Sequence, residues 1–144
     1  MATTAAITLA SDITSGFGGI TKTMTLTKAG ALTDIEETTG FSRRKLAATT
    51  AVDLITMANE LVEPSDNTAA KVYVQNIGDG KGSIDKTTYV TVLIGATAGT
   101  TQEVGRLYGG DWLLMPVTVV DDMDVVVAPS TNDAVVLEYT MFYE

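Results

Sequence analysis

The sequence predicts an all-β fold: an antiparallel β-sandwich of jelly-roll-like form, with a less regular N-terminal arm. β-Branched residues are abundant, Thr along the whole chain and Val in the second half, and such residues favour strands over helices. Glycines and clusters of Asn, Asp and Ser separate short apolar runs at intervals of about 8–15 residues, as a sandwich or barrel requires. The 144-residue chain is predicted to comprise a possible arm over 1–19 and a single domain over 20–144.

Alternation of apolar and polar residues predicts the individual strands. In residues 20–28, Ile20, Met24 and Leu26 face one way while the intervening threonines face the other. Pro116 lacks the backbone N–H that a ladder needs, so the strand that contains it is predicted to lie at an edge or to carry a bulge. In chain order, the remaining predicted strands are 71–77, 88–94, 103–108, 112–118, 123–128 and 134–143.

Residues 41–63 are open to two interpretations. A helix would place Leu46 and Leu54 on one apolar face, with Ser42 as its N-cap. The many β-branched residues of the segment favour extended structure instead. We predict a strand near 52–57, and a short helix is the alternative.

The chain contains neither His nor Cys. The absence of His removes the most frequent general acid–base group and the commonest transition-metal ligand. The absence of Cys removes thiol nucleophiles, disulfides and Cys-ligated zinc or iron–sulfur sites. We therefore expect a protein that is not an enzyme and that carries no cofactor. A hydrolase that uses two carboxylates remains an alternative, and it would need both groups to converge in a cleft.

The formal net charge is −9, and no Lys or Arg occurs from Leu107 to Glu144. Nucleic-acid binding depends on Lys and Arg that neutralise phosphates, so we expect no nucleic-acid partner. The sequence shows no secretion signal and no apolar run long enough for a spanning helix. We expect a soluble protein that does not enter a membrane.

Acidic residues near the C-terminal strands are weak candidates for a metal site. Asp121, Asp122 and Asp124 could offer oxygen ligands to Ca²⁺. Their spacing matches no complete calcium loop. A solvated acidic loop between two strands is the preferred interpretation, and no metal site is predicted.

Two groups of residues are candidates for contact with a protein partner. Basic residues on an acidic molecule can steer association and fix its register, while Trp, Tyr and Arg are enriched at interface hot spots. A solvated patch is the default interpretation of the basic group, and a turn with Trp112 in the core is the default for the aromatic group; partner contact is the functional interpretation of each. The candidates are Arg43, Arg44 and Lys45 in the first group, and Arg106, Tyr108 and Trp112 in the second.

Several predicted strands carry apolar residues on both faces. The last strand places Leu137 and Met141 on one side but Val136 and Phe142 on the other. A sandwich should be polar on its outer faces, so something is expected to cover one sheet: another subunit, a loop, or residues 1–40 folding back. We favour a homo-oligomer, with the interface formed by Tyr73, Tyr89, Leu93, Val126, Val136 and Phe142.

Four segments in the C-terminal half follow a familiar progression. They are KVYVQNIG (71–78), TYVTVLIG (88–95), EVGRLYGGDWLLMPVT (103–118) and VVLEYTMFYE (135–144). In these segments the chain resembles small virion structural proteins of tailed bacteriophages, including capsid decoration (cement) proteins. The resemblance implies a β-rich, oligomeric, non-enzymatic protein that assembles on a coat-protein lattice.

On this basis we expect a decoration protein that binds the outer surface of the capsid, with the major capsid protein as its partner. It would be soluble in the host cytoplasm before assembly, and a trimer is the favoured oligomer. Residues 43–45 and the N-terminal arm are the expected lattice contacts. A tail or receptor-binding module that recognises glycans is the alternative within the virion.

Overall fold

The computed structural model describes residues 3–9, 20–26, 37–60, 69–81, 83–96 and 101–143. Within these ranges the chain is almost entirely β-structure. In chain order the elements are β1 (Thr3–Leu9), β2 (Ile20–Leu26), β3 (Glu37–Thr38), β4 (Ser42–Leu46), β5 (Val52–Ile55), α1 (Met57–Glu60), β6 (Ala69–Asn76), β7 (Tyr89–Ile94), β8 (Gln102–Tyr108), β9 (Trp112–Thr118), β10 (Val125–Pro129) and β11 (Val135–Tyr143).

Two antiparallel sheets form the body of the protein. Sheet 1 has the order β4–β11–β6–β9, with β3 also paired to β11, and sheet 2 has the order β5–β10–β7–β8. Along the chain, the antiparallel pair β7–β8 lies inside the pair β6–β9, which lies inside β5–β10, which lies inside β4–β11. The eight strands therefore form one long, continuous hairpin. This ribbon folds over so that β6 also pairs with β11, and β7 with β10. The result is the strand order of a jelly roll.

Alternation within the strands builds one core between the sheets. Along β6 every second side chain is buried, and the register places those residues opposite the inward-facing residues of β11, of which Leu137 and Met141 are fully buried. In sheet 2, buried valines of β7 and β10 likewise point toward the core. Fully buried apolar side chains of both sheets form one cluster, which includes Val72, Val74, Val90, Val92, Val125, Val127, Leu137 and Met141.

The β-sandwich prediction is confirmed, and the predicted strands agree with β2 and β6–β11 to within a few residues. Pro116 lies on β9, which pairs only with β6 among the described residues, so the expected edge position is confirmed. Strands β1 and β2 pair with each other in a separate two-stranded sheet. The division into an arm over 1–19 and a domain over 20–144 stays a prediction.

The described part of the segment 41–63, for which a strand and a helix were both considered, contains strands and a short helix. Strand β5 confirms the prediction near 52–57, and a single helical turn, α1, follows it directly. Ser42 does not cap a helix but begins β4, which the sequence did not predict. Pairing with β11 explains the difference, because ladder hydrogen bonds and the burial of Leu46 outweigh the weak local pattern.

Asn76 joins the two sheets at the end of β6. Its side chain is buried, its Nδ2 donates a hydrogen bond to the carbonyl oxygen of Leu107 on β8 (3.0 Å), and its Oδ1 accepts one from the N–H of Gly78 (2.9 Å). The backbone N–H of Asn76 donates to the carbonyl of Asp111, and its own carbonyl accepts from Gly110. One residue therefore holds sheet 2, the β8–β9 turn and the loop after β6 in place.

We expect Asn76→Ala to lower the free energy of unfolding by about 2–4 kcal/mol, because it leaves the Leu107 carbonyl and the Gly78 N–H buried without a partner. Urea denaturation measures the change. Asn132→Ala is the matched control: that amide is exposed and accepts a single bond from Thr49, so the expected loss is about 1 kcal/mol or less. Equal losses in the two variants would show that the Asn76 amide does not link the sheets.

Candidate partner-binding surfaces

The outer face of sheet 1 carries a row of aromatic rings, which we call the aromatic face. Tyr73 projects outward from the middle of β6, Trp112 begins β9, and Phe41 precedes β4. The centroid of the Tyr73 ring lies 6.0 Å from that of Phe41 in an edge-to-face contact and 6.2 Å from that of Trp112. Phe41 is 69% exposed and Trp112 is 41% exposed. The rings are therefore packed against one another and still open to a partner.

Cations surround this row. Arg43 and Lys45 point outward from β4, and Lys71 points outward from β6. Glu138 is the one carboxylate among the described side chains of this face, and its Oε2 accepts a hydrogen bond from Arg43 Nε at 2.8 Å. The aromatic face thus holds three cations against one carboxylate, on a chain whose net charge is −9.

The centre of the aromatic face is already desolvated. Thr140, the register partner of Tyr73 on β11, is 0% exposed although it lies on the outer side of the sheet. Burial raises the pKa of Tyr73, and the negative charge of Glu138 raises it further. Burial also lowers the pKa of Lys71. The Tyr73 hydroxyl donates to Gln75 Oε1 at 2.8 Å, which fixes the ring's orientation.

The outer face of sheet 2 carries a second cluster, which we call the tyrosine face. The rings of Tyr89 and Tyr108 are paired across β7 and β8, with centroids 5.3 Å apart. The guanidinium of Arg106 lies 4.8 Å from the centroid of Tyr89, a cation–π arrangement. Glu103 accepts a hydrogen bond from Arg106 Nε at 3.1 Å. This cluster is also formed before any partner binds.

The structure divides the predicted partner-binding residues among three places. Arg43, Lys45 and Trp112 lie on the aromatic face, whereas Arg106 and Tyr108 lie on the tyrosine face. Arg44 alternates to the inner side of β4, where its Nη1 donates to the backbone carbonyl of Asp53.

The single patch expected for Arg106, Tyr108 and Trp112 is therefore wrong. The turn at Gly109–Asp111 carries the chain from sheet 2 to sheet 1, so the residues on either side of it face opposite directions. Trp112 is not buried in the core either, because its 41% exposure places it at the surface.

The residues predicted for an oligomer interface all lie on outer faces. The registers place Tyr73, Val136 and Phe142 on sheet 1, and Tyr89, Leu93 and Val126 on sheet 2. Val126 is 4% exposed and the other five are half-buried. Their contact with a second subunit stays a prediction.

Two residues of the aromatic face were not predicted. Phe41 lies in the segment for which a helix was the alternative, so its exposure could not be deduced. Lys71 lies between the inward-facing Ala70 and Val72 of β6, and this alternation was the signal that could have placed Lys71 on the outer face.

The weak calcium candidates are not brought together. Asp124 is buried, and its Oδ1 accepts a hydrogen bond from the N–H of Met57 at 2.7 Å, which anchors α1. Asp121 and Asp122 are exposed in the turn between β9 and β10. In the described part of the chain, no group of three or more Asp or Glu residues is placed to hold a metal ion.

A groove of about 120 Å³ opens beside the loop after β6. Asp79 and Asp85 line it, and hydrogen bonds lower the pKa of both carboxyls, chiefly from the N–H of Lys81 to Asp79 and from the Thr87 hydroxyl to Asp85. Both carboxylates therefore serve to shape the loop.

No helix within the described ranges is long and apolar enough to cross a membrane. No protein-family model matches the sequence, and no curated protein matches it. Solved structures that match part of the chain include the following three.

A chain of the Bacillus endospore appendages, a family of disulfide-linked pili, is 18% identical with a TM-score of 0.43, over 75% of this chain and 88% of that one. The Yersinia pseudotuberculosis-derived mitogen is 7% identical with a TM-score of 0.45, over 76% and 88%. A chain of the acid-stable capsid of Helicobacter pylori bacteriophage KHP30 is 12% identical with a TM-score of 0.44, over 76% and 90%. At these values none of the three assigns a family or a function.

We expect the phenol of Tyr73 to titrate above its ordinary pKa of about 10. Below that pH the folded and unfolded states both hold a neutral phenol. Above it the unfolded state ionises first, so the contribution of Tyr73 to stability is lost as the pH rises. Glu138→Gln removes a negative charge and should lower this pKa. Ultraviolet titration, with Tyr73→Phe to identify the signal, measures it. Glu103→Gln on the opposite face is the control, and an unchanged pKa in Glu138→Gln would contradict the prediction.

Proposed function

We propose that this chain is a non-enzymatic structural protein of a tailed-phage virion, of the capsid decoration type, that joins neighbouring subunits of the coat. One observation carries the proposal: two opposite outer faces of the sandwich each present a preformed cluster of aromatic and cationic side chains. Its expected partners are the major capsid protein and further copies of itself.

The composition of the two faces supports protein binding. Trp, Tyr and Arg supply most of the residues whose truncation costs binding energy at interfaces. Here the rings contact one another, and Arg106 is stacked on Tyr89 in the free protein. Because these side chains are already ordered, association would lose less conformational entropy than it would with free rotamers.

The position of the faces supports a bridging role. The aromatic face and the tyrosine face lie on opposite sides of one buried core. A rigid body with contacts on both sides can hold two neighbours at a fixed separation. Repeated over a lattice, modest contacts of this kind add up through multivalency.

The chemistry of the chain supports a role without catalysis. His and Cys are absent. Asp79 and Asp85 have lowered pKa values, whereas a carboxylic acid that donates protons near neutral pH needs a raised one. The resemblance of segments 71–78, 88–95, 103–118 and 135–144 to virion structural proteins supports the phage particle as the location.

The test is the binding of the purified chain to phage particles that lack it, followed by sedimentation and by a reconstruction of the particle. We expect saturable binding at the outer surface. Trp112→Ala and Tyr108→Ala should each weaken it roughly tenfold, because each removes an exposed aromatic anchor. Val104→Ala, an exposed apolar residue outside both clusters, should leave binding unchanged. If wild-type chain stays in the supernatant and no density is found on the particle, the virion function is wrong.

A further inference from the structure

We propose that the aromatic face of one copy binds the acidic turn of a second copy, in a head-to-tail contact. The acidic turn is the segment 120–122 between β9 and β10. This inference deepens the proposed bridging function, and it rests on that function for its place in a particle. It names a second copy of this chain as the occupant of the aromatic face and leaves the tyrosine face for the coat protein.

The acidic turn combines an exposed apolar side chain with two carboxylates. Val120 is 39% exposed, and Asp121 and Asp122 next to it are exposed. The turn is held by backbone hydrogen bonds from Met123 N–H to the Val120 carbonyl (3.0 Å) and from Val120 N–H to the Thr118 carbonyl (3.1 Å). It is thus a fixed projection that a partner surface can receive.

The aromatic face is complementary to this turn in charge and in polarity. Arg43 and Lys45 follow the exposed Phe41 along β4, and Trp112 lies on the same face, across β11 and β6. Carboxylates of the turn would meet the cations, and the Val120 side chain would pack on the rings. Such an arrangement of charge fixes the register of an interface and disfavours other partners.

The geometry requires two copies. Trp112 begins β9 and Thr118 ends it, so the strand separates the aromatic row from the acidic turn by roughly 20 Å along its length. The turn of one copy therefore cannot cover the rings of the same copy. A face-to-face dimer would bring like cations together, which is destabilising. A head-to-tail contact avoids both problems, and such contacts close into rings when the rotation between copies allows it.

Light scattering on the purified full-length chain tests self-association directly. We expect oligomers at low ionic strength that dissociate as salt screens the charges. Trp112→Ala should shift the assembly to monomer, and Tyr108→Ala should not, although the two side chains are almost equally exposed at 41% and 38%. A monomer at every concentration and salt overturns the proposal, as does an oligomer that Trp112→Ala leaves intact.

A charge exchange identifies the two surfaces. One variant carries Asp121→Lys with Asp122→Lys, and the other carries Arg43→Glu with Lys45→Glu. Each variant alone should be monomeric, since the segment 120–122 and the aromatic face then carry charges of the same sign. An equimolar mixture should associate again, because every contact between unlike variants is attractive. Thermal melting near the wild-type temperature verifies that both variants fold. A mixture that stays monomeric, or either variant oligomerising alone, overturns the proposal.

Failure of this inference is distinguishable from failure of the proposed function. If the chain decorates particles but the charge exchange does not restore association, the aromatic face has another occupant and the virion function stands. If association is restored but particles bind no chain, the self-contact stands and the virion function is wrong.

Discussion

The buried amide of Asn76 is the interaction on which the arrangement of the two sheets depends. The apolar contacts between the sheets supply most of the driving force, but they are non-directional. Hydrogen bonds from Asn76 to Leu107 and Gly78 fix the relative position of the sheets at one end. At the same end Gly109 donates to the carbonyl of Asp85, and a Cβ at Gly109 would collide with that oxygen. The β8–β9 turn can therefore cross between the sheets along one path only.

This crossing determines which surfaces the molecule presents. Because the turn carries the chain from sheet 2 to sheet 1, Tyr108 and Trp112 lie only four positions apart and still face opposite sides of the sandwich. Each then joins rings contributed by a neighbouring strand, Tyr89 in one case and Tyr73 in the other. Two aromatic clusters thus arise on either side of a single turn, and the sheets hold each cluster in a fixed geometry.

Local pattern was sufficient to predict the strands that form the core. The valines of β6 and β7 alternate with polar residues, and this alternation also placed Tyr73 and Tyr89 on the outer faces correctly. It was insufficient for β4, whose sequence SRRKL contains one apolar residue. That strand exists because β11 offers it a partner, and pairing between residues 42–46 and 135–139 is too distant in the chain for a local pattern to reveal. The exposure of Phe41 depends on β4 and was unpredictable for the same reason.

The self-contact proposed for this strongly acidic protein depends on the distribution of its charge. A uniform surface of net charge −9 would repel copies of itself in every orientation. In the proposed contact, the cations around the aromatic row make one orientation attractive while the others remain repulsive. Repulsion then disfavours every other orientation of the two copies. Once the charges have aligned the copies, the rings supply the contact area.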